Sequence, residues 1–211
     1  MANPQSGGDA PIREFLNALA SADAAQGAVS AAAVAGAMGT SLLLMVAALP
    51  TTRSGSTDER TALIGAATAL GDVQEQLIET METETAVKLF AARNMPQASQ
   101  AQRSKREAAI QLALRAAADV PLEVIRLCAL GLKHAHVVAG SSSRAAGREV
   151  ELAVALLRVG LNGARLNLEA KLSSLIDPVY TKVIVEEIAR LSEEATTAAR
   201  IAESSVQAPP A

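Results

Sequence analysis

Apolar residues recur along most of the chain at alternating steps of three and four, the spacing that places side chains on one face of an α-helix. The first such stripe follows Asp9 and comprises Ile12, Phe15, Leu16 and Leu19. Strict alternation of apolar and polar residues, which would indicate β-strands, is absent from the sequence. The pattern therefore predicts a helical protein.

Helix breakers and capping residues divide the rest of the pattern into six more helices. A run without charged residues ends at Pro50, and Ser-Thr-Asp-Glu from Ser56 is a capping box that opens a helix reaching about Arg93. Pro121 is expected to begin a helix, because proline fits the first turn but interrupts a helix interior. The predicted helices after the first cover about residues 28–49, 57–93, 99–119, 121–140 and 146–175, and a last helix follows Pro178 and includes Val183, Ile184, Ile188 and Leu191.

These helices are predicted to form one domain. Residues 9–203 are assigned to a single all-α, up-and-down bundle of about seven long helices, and residues 1–8 and 204–211 to disordered tails. Half of the residues are hydrophobic but only 1% are aromatic, so the core must consist of small and aliphatic side chains. Glycines at 36, 39, 160 and 163 are therefore expected where helix backbones cross closely.

Residues 24–52 contain no charged side chain, and their length would permit a membrane-spanning helix. The segment is rich in alanine, lacks Trp and Tyr, and has only Arg13 and Arg53 as nearby basic residues. We therefore expect the core helix of a cytoplasmic protein that has no membrane partner.

The distribution of charged, cysteine and histidine residues argues against two classes of binding partner, nucleic acids and metal ions. The formal net charge of −3 is spread over both signs, without the basic stripe or aromatic platform that nucleic acid requires. Cys128 is the single cysteine, and His134 and His136 lie two positions apart, which points them to different faces of a helix. No phosphate-binding glycine loop or nucleophile elbow occurs. We expect neither nucleic acid nor a metal.

Several short stretches carry a recognisable pattern. Residues 12–16 read Ile-Arg-Glu-Phe-Leu, and residues 30–39 read Ser-Ala-Ala-Ala-Val-Ala-Gly-Ala-Met-Gly. Residues 106–111 read Arg-Glu-Ala-Ala-Ile-Gln, residues 120–122 read Val-Pro-Leu, and Ala153 is followed by Asn167. Together these stretches resemble the cyclodeaminase/cyclohydrolase family, which includes the deaminase domain of formiminotransferase-cyclodeaminase and the serine-cycle methenyltetrahydrofolate cyclohydrolase.

The resemblance implies an α-helical homodimer with a folate cleft between its helices. It implies hydrolysis of methenyl-tetrahydrofolate or deamination of formimino-tetrahydrofolate, with no cofactor besides the small-molecule substrate. The reacting carbon is already electrophilic, so a carboxylate that stabilises it and a base that deprotonates water suffice. The expected catalytic residues are Glu149, Glu84 and Asn167, and the expected substrate-binding residues are Gln26, Gly27, Ser30, Lys88, Arg93 and Arg106.

The chain departs from the family pattern around this expected site. Residues 24–29 replace a glycine-rich loop of the relatives, residues 50–55 replace a lysine-rich turn, and Glu149 stands where the relatives have aspartate. Two alternatives therefore stay open. One is a diverged enzyme that acts on another imine or iminium compound in a biosynthetic pathway, and the other is a non-catalytic dimeric paralogue.

Overall fold

The computed structural model describes residues 9–20, 27–52, 55–80 and 90–207. Six α-helices lie wholly within these ranges, and no residue in them forms a β-strand. The helices are α1 (Asp9–Ala20), α2 (Ala28–Ala48), α3 (Thr57–Glu79), α4 (Gln100–Ser141), α5 (Gly147–Leu172) and α6 (Pro178–Gln207), with a 3-10 turn at Arg144–Ala146. The predicted all-α bundle is confirmed.

The start of α3 illustrates how local sequence sets a helix boundary. The Glu59 N–H donates to Ser56 Oγ, and the Ser56 N–H donates to Glu59 Oε2 at 2.7 Å, so the predicted capping box is present. Among the described residues α3 ends at Glu79. Most of its predicted extension towards Arg93 falls on residues 81–89, which lie outside the described ranges.

One helix start predicted from the sequence is wrong. Pro121 does not begin a helix but lies inside the 42-residue α4, where it is buried. Proline costs one backbone hydrogen bond, and burial of the apolar residues around it in α4 outweighs this cost. At the other end of the chain α6 continues past residue 203 to Gln207, and the Ser204 hydroxyl donates to the Arg200 carbonyl one turn earlier.

Helix α2 is flanked by α5 on one side and by α3 on the other, with α4 behind it. A Cβ atom added to Gly39 would lie 2.8 Å from the Ala153 carbonyl oxygen, and one added to Gly163 would lie 3.3 Å from Ala32 Cβ. Gly39 therefore faces the first half of α5 and Ala32 faces its second half. The two helices run antiparallel and cross through the small residues that the sequence predicted.

Helix α4 runs parallel to α2. Gly36 faces Cys128, and Thr40 faces Gly131 one turn further along both helices. The Thr40 hydroxyl is fully buried and donates within α2 to the carbonyl of Ala37 at 2.9 Å. The buried polar side chain of Thr40 is therefore satisfied by a backbone carbonyl of its own helix and needs no charged partner.

By length and composition α2 also qualifies as a membrane-spanning helix. Within the bundle, 44% of its most apolar window is buried. Leu43 and Val46 are completely enclosed, whereas Met38 and Met45 lie on the surface. One face of this charge-free helix therefore belongs to the core and the opposite face is open.

Polar contacts fasten α6 to α4. Arg126 donates two hydrogen bonds to Glu187, at 2.8 and 3.1 Å, and the Tyr180 hydroxyl donates to Asp119 at 2.8 Å. The hydrogen bond from Arg126 lowers the pKa of Glu187. Burial, with the hydrogen bond to Asp119, raises the pKa of Tyr180 to about 12. These contacts hold the C-terminal helix in register along the bundle.

Candidate active site

One face of α5 changes from small residues to polar ones as it passes the start of α2. Gly160 and Gly163 lie directly against α2, and Asn167 and Lys171 continue the same stripe at steps of four. Since Ala32 is opposite Gly163 and the helices are antiparallel, Asn167 lies beside the first turn of α2. Lys171 lies beyond the point where α2 begins.

The first turn of α2 contributes backbone donors to this region. Gly27 is the N-cap, with an extended backbone and no side-chain hydrogen bond to the turn, and no acidic residue lies in that turn. Ser30 is buried. The N-terminal N–H groups and the helix dipole give this end of α2 a partial positive charge, which suits an anionic or carbonyl group of a ligand.

Asn167 and Lys171 are both held in a partly dehydrated setting. The Asn167 Oδ1 atom is buried and finds no hydrogen-bond partner among the described residues. Lys171 is half-buried, and this burial lowers the pKa of its amine. A buried acceptor without a partner is costly, so Asn167 Oδ1 is suited to accept an N–H or O–H from a ligand.

Glu149 lies at the opposite end of the same helix. It occupies the first turn of α5, and its Oε2 atom is likewise buried without a partner in the part of the chain that the structure describes. It precedes Asn167 by 18 residues, which corresponds to about 27 Å along a helix axis. The two predicted catalytic residues therefore do not converge on one reacting atom within a single chain.

The two predicted arginines are brought together, but by a structural contact. Arg106 Nε donates to the Arg93 carbonyl oxygen at 3.0 Å, which ties the start of α4 to the end of the preceding helical turn. Because α2 and α4 are parallel and Gly36 faces Cys128, the start of α2 is level with about Val120. Arg106 therefore lies about 20 Å along α4 from Asn167, within reach only of the far end of an elongated ligand.

Three predicted site residues, Gln26, Glu84 and Lys88, lie outside the described ranges. Gly27, Ser30 and Asn167 do gather at the start of α2. Lys171 was not predicted, although extending the glycine stripe of α5 by two turns would have indicated it.

The remaining nucleophilic and metal-binding candidates lie elsewhere. Cys128 is buried in the core, and burial raises the pKa of its thiol to about 12. His134 is half-buried, which lowers its pKa, and His136 is exposed with Nδ1 2.6 Å from the Lys133 carbonyl. Across the described ranges, no three His, Cys, Asp or Glu side chains form a group that can hold a metal ion.

Comparison with protein families assigns this helical domain to a known family. Residues 11–190 match the model of the formiminotransferase-cyclodeaminase family. The chain belongs to this family. The matched region contains α2, α4, α5 and the polar residues at the start of α2, so the family resemblance of the sequence is confirmed.

Two relatives of the family support this membership. The methenyltetrahydrofolate cyclohydrolase of Methylorubrum extorquens is 29% identical over 89% of this chain and 91% of its own length. The formimidoyltransferase-cyclodeaminase of Sus scrofa is 27% identical over 90% of this chain. The aligned region makes up only 36% of the porcine protein, so this chain corresponds to one part of that larger enzyme.

A solved structure shares the fold. The formiminotetrahydrofolate cyclodeaminase of Thermotoga maritima superposes with a TM-score of 0.81 over 93% of this chain and 95% of its own, at 20% sequence identity. The cyclodeaminase bundle is therefore preserved along almost the whole chain.

Proposed function

We propose that the chain is a cyclohydrolase or cyclodeaminase that acts on a one-carbon-substituted tetrahydrofolate. The substrate would be methenyl-tetrahydrofolate, which is hydrolysed, or formimino-tetrahydrofolate, which loses ammonia. Family membership over residues 11–190 and the names of both relatives support this reaction class. The observation that carries the proposal is the group of polar side chains and backbone donors at the start of α2, formed by Gly27, Ser30, Asn167 and Lys171.

The chemistry of the substrate fits these groups. In hydrolysis, a water oxygen bonds to the cationic methenyl carbon and the water gives up one proton. The remaining hydroxyl proton then passes to the leaving ring nitrogen as its carbon–nitrogen bond breaks, which leaves a formyl group on the other nitrogen. Burial favours the neutral amine of Lys171, which can accept the proton that the water gives up first. Asn167 Oδ1 is placed to accept a hydrogen bond from the attacking water or from a ring N–H.

The charged tail of a folate needs separate partners. The start of α2 offers backbone N–H groups, and Arg106 retains two guanidinium nitrogens besides the Nε that binds the Arg93 carbonyl. We propose that the pteridine end lies at Asn167 and that the carboxylates extend along α4 towards Arg106. No cofactor besides the folate is assigned to this reaction.

We also propose that the enzyme works as a cytoplasmic homodimer without a membrane partner. Burial of Leu43 and Val46 inside the bundle supports a soluble environment for α2. The open face of α2, which carries Met38 and Met45, is a surface that a second copy can cover.

The decay of methenyl-tetrahydrofolate absorbance at neutral pH tests this function. We expect Lys171→Met to lower kcat about a hundredfold, the usual contribution of a general base, and Asn167→Ala to lower kcat/KM up to about tenfold through a lost hydrogen bond. Lys133→Met is the matched control, because Lys133 is exposed on α4 at the other end of the bundle. A folded wild-type protein that is no faster than buffer on either folate would refute the proposal and favour the non-catalytic paralogue.

A further inference from the structure

A short loop, residues 173–177, connects α5 to α6 and begins two residues after Lys171. Its backbone is bonded to the end of α5. The Ser174 N–H donates to the Lys171 carbonyl at 3.1 Å, and the Leu175 N–H donates to the Leu172 carbonyl, also at 3.1 Å. The position of this α5–α6 loop therefore sets the position of Lys171, the proposed base.

Apolar burial contributes little to holding the α5–α6 loop in place. Of its two apolar residues, Leu175 packs against the core, whereas Ile176 is 73% exposed. Val179, in the first turn of α6, is also 73% exposed, and the first buried apolar residue of α6 is Ile184. Because so little apolar surface is buried here, the loop depends on polar contacts for its position.

A row of polar side chains on α4 supplies these contacts. The row consists of Gln111, Arg115 and Asp119, which share a face because they lie at steps of four. Gln111 Oε1 accepts the Ile176 N–H at 3.0 Å, and Arg115 Nη2 donates to Asp177 Oδ2. The row therefore holds both the backbone and a carboxylate at the end of the loop.

Arg115 also contacts the start of α6. Its guanidinium lies over the Tyr180 ring, 4.4 Å from the ring centroid. The Tyr180 hydroxyl donates to Asp119 Oδ1 at 2.8 Å, and the Tyr180 N–H donates to Asp177 Oδ1 at 2.9 Å. A single side chain, Arg115, thus joins the loop, the first turn of α6 and α4.

The polar row lies at the same height in the bundle as the proposed site. The crossings of α2 with α4 and α5 place Asn167 level with about Asp119, and Lys171 level with about Arg115. The loop runs from Lys171 on α5 to the contacts with this row. It therefore links the proposed base to α4 over a short length of chain.

We propose that Arg115 is a positioning residue for the folate reaction: it fixes the α5–α6 loop through Asp177 and Tyr180, and the loop holds Lys171 in its half-buried setting. This inference deepens the proposed function and rests on it, because Lys171 affects turnover only if it is the base of that reaction. Arg115 itself does not contact the reacting atoms. Without Arg115 the loop would leave α4, and a displacement of about 1 Å at a reacting group can cost about a hundredfold in rate.

Steady-state kinetics of Arg115→Met test this role. We expect kcat to fall about tenfold while KM changes less than about twofold, because the other proposed substrate contacts stay in place. Arg126→Met is the matched control, since Arg126 also joins α4 to α6, through Glu187, and both arginine side chains are 44% exposed. Arg126 lies about 16 Å further along α4 from the loop, so its loss should change kcat less than about twofold. Equal effects of the two substitutions would overturn the inference.

A double-mutant cycle separates positioning from a general loss of structure. If Arg115 acts through Lys171, Arg115→Met should lower the residual kcat of Lys171→Met by less than about twofold. Effects that multiplied would show that Arg115 acts independently of Lys171, and the inference would fail. Gln111→Ala is a milder second variant that removes one hydrogen bond to the loop, and it should lower kcat about threefold.

Hydrogen exchange followed by NMR measures the loop independently of activity. Arg115→Met should speed exchange of the Ser174 and Ile176 amides about tenfold, the value of one hydrogen bond to a charged group, whereas Arg126→Met should not. Similar exchange in both variants would contradict the role of Arg115. If the wild-type chain turned over neither folate, the proposed function would fail, and the exchange pattern would still decide whether Arg115 holds the loop.

Discussion

At the scale of single residues, three small side chains decide how closely the central helices approach. A Cβ atom added to Gly160 would lie 2.8 Å from the Ala32 carbonyl oxygen and 2.9 Å from Cys128 Sγ. The Ala32 contact is to backbone, so it cannot be relieved by a rotamer change. Cys128 acts here as a small apolar side chain, because burial raises the pKa of its thiol to about 12 and keeps it protonated.

We predict that Gly160→Ala lowers the free energy of unfolding by about 2 kcal/mol, since overpacking a close crossing forces the backbones apart. Gly65 is the matched control: it lies inside α3 with nothing within 4 Å of an added Cβ. Gly65→Ala should raise stability by about 0.5–1 kcal/mol, because alanine is the better helix former. Urea denaturation followed by circular dichroism measures both values. Equal effects of the two substitutions would contradict the close crossing.

The same scale shows why the site was only partly predictable. Gly27, Ser30 and Asn167 were identified from the sequence and lie together at the start of α2. Glu149 shares a helix face with Asn167. A helical-wheel projection shows which residues share a face, but it does not show that these two residues lie far apart along the helix axis. Lys171 was missed because its proposed role depends on where α2 begins relative to α5. That relation is set by tertiary packing and is not a property of either sequence segment.

At the scale of helices, capping residues predicted where helices begin more accurately than proline predicted where a helix is interrupted. Ser56 begins α3 as predicted, and Ser99 begins α4 with its hydroxyl accepting the Gln102 N–H at 3.2 Å. A capping residue acts through neighbours in sequence, so its effect is readable from sequence alone. Pro121 was misread because burial of the surrounding part of α4 in the bundle outweighs its local penalty. Long-range packing of this kind leaves no local signal.

We predict that Ser56→Ala lowers the free energy of unfolding by about 1 kcal/mol through loss of the capping box at α3. Ser143 provides the comparison, because it precedes the 3-10 turn without a side-chain capping hydrogen bond. Ser143→Ala should change stability by less than about 0.5 kcal/mol. Thermal and urea unfolding of both variants give the difference. If Ser143→Ala proved the more damaging, the assignment of capping at these two sites would be wrong.

At the scale of the whole molecule, the bundle gives α2 two apolar faces, one buried in the core and one exposed. Small residues and Leu43 on one face pack into the core, and Met38 and Met45 on the other remain exposed. Composition alone does not distinguish these faces, nor a core helix from a membrane span, because both need an uncharged helix of about this length. The all-α class, by contrast, was predictable, since it follows from periodicity repeated along the entire chain.

The two faces of α2 should respond oppositely to charge. Met38→Glu should leave a folded, soluble protein, because its carboxylate can reach water, and it should weaken the proposed self-association by placing like charges on the exposed face of α2. Leu43→Glu should prevent stable folding, since a buried unpaired carboxylate costs several kcal/mol. Detergent-free purification, circular dichroism and light scattering distinguish the variants. If wild-type protein partitioned into membranes and Met38→Glu abolished this partitioning, α2 would be a lipid-facing helix instead of a core helix with one water-exposed face.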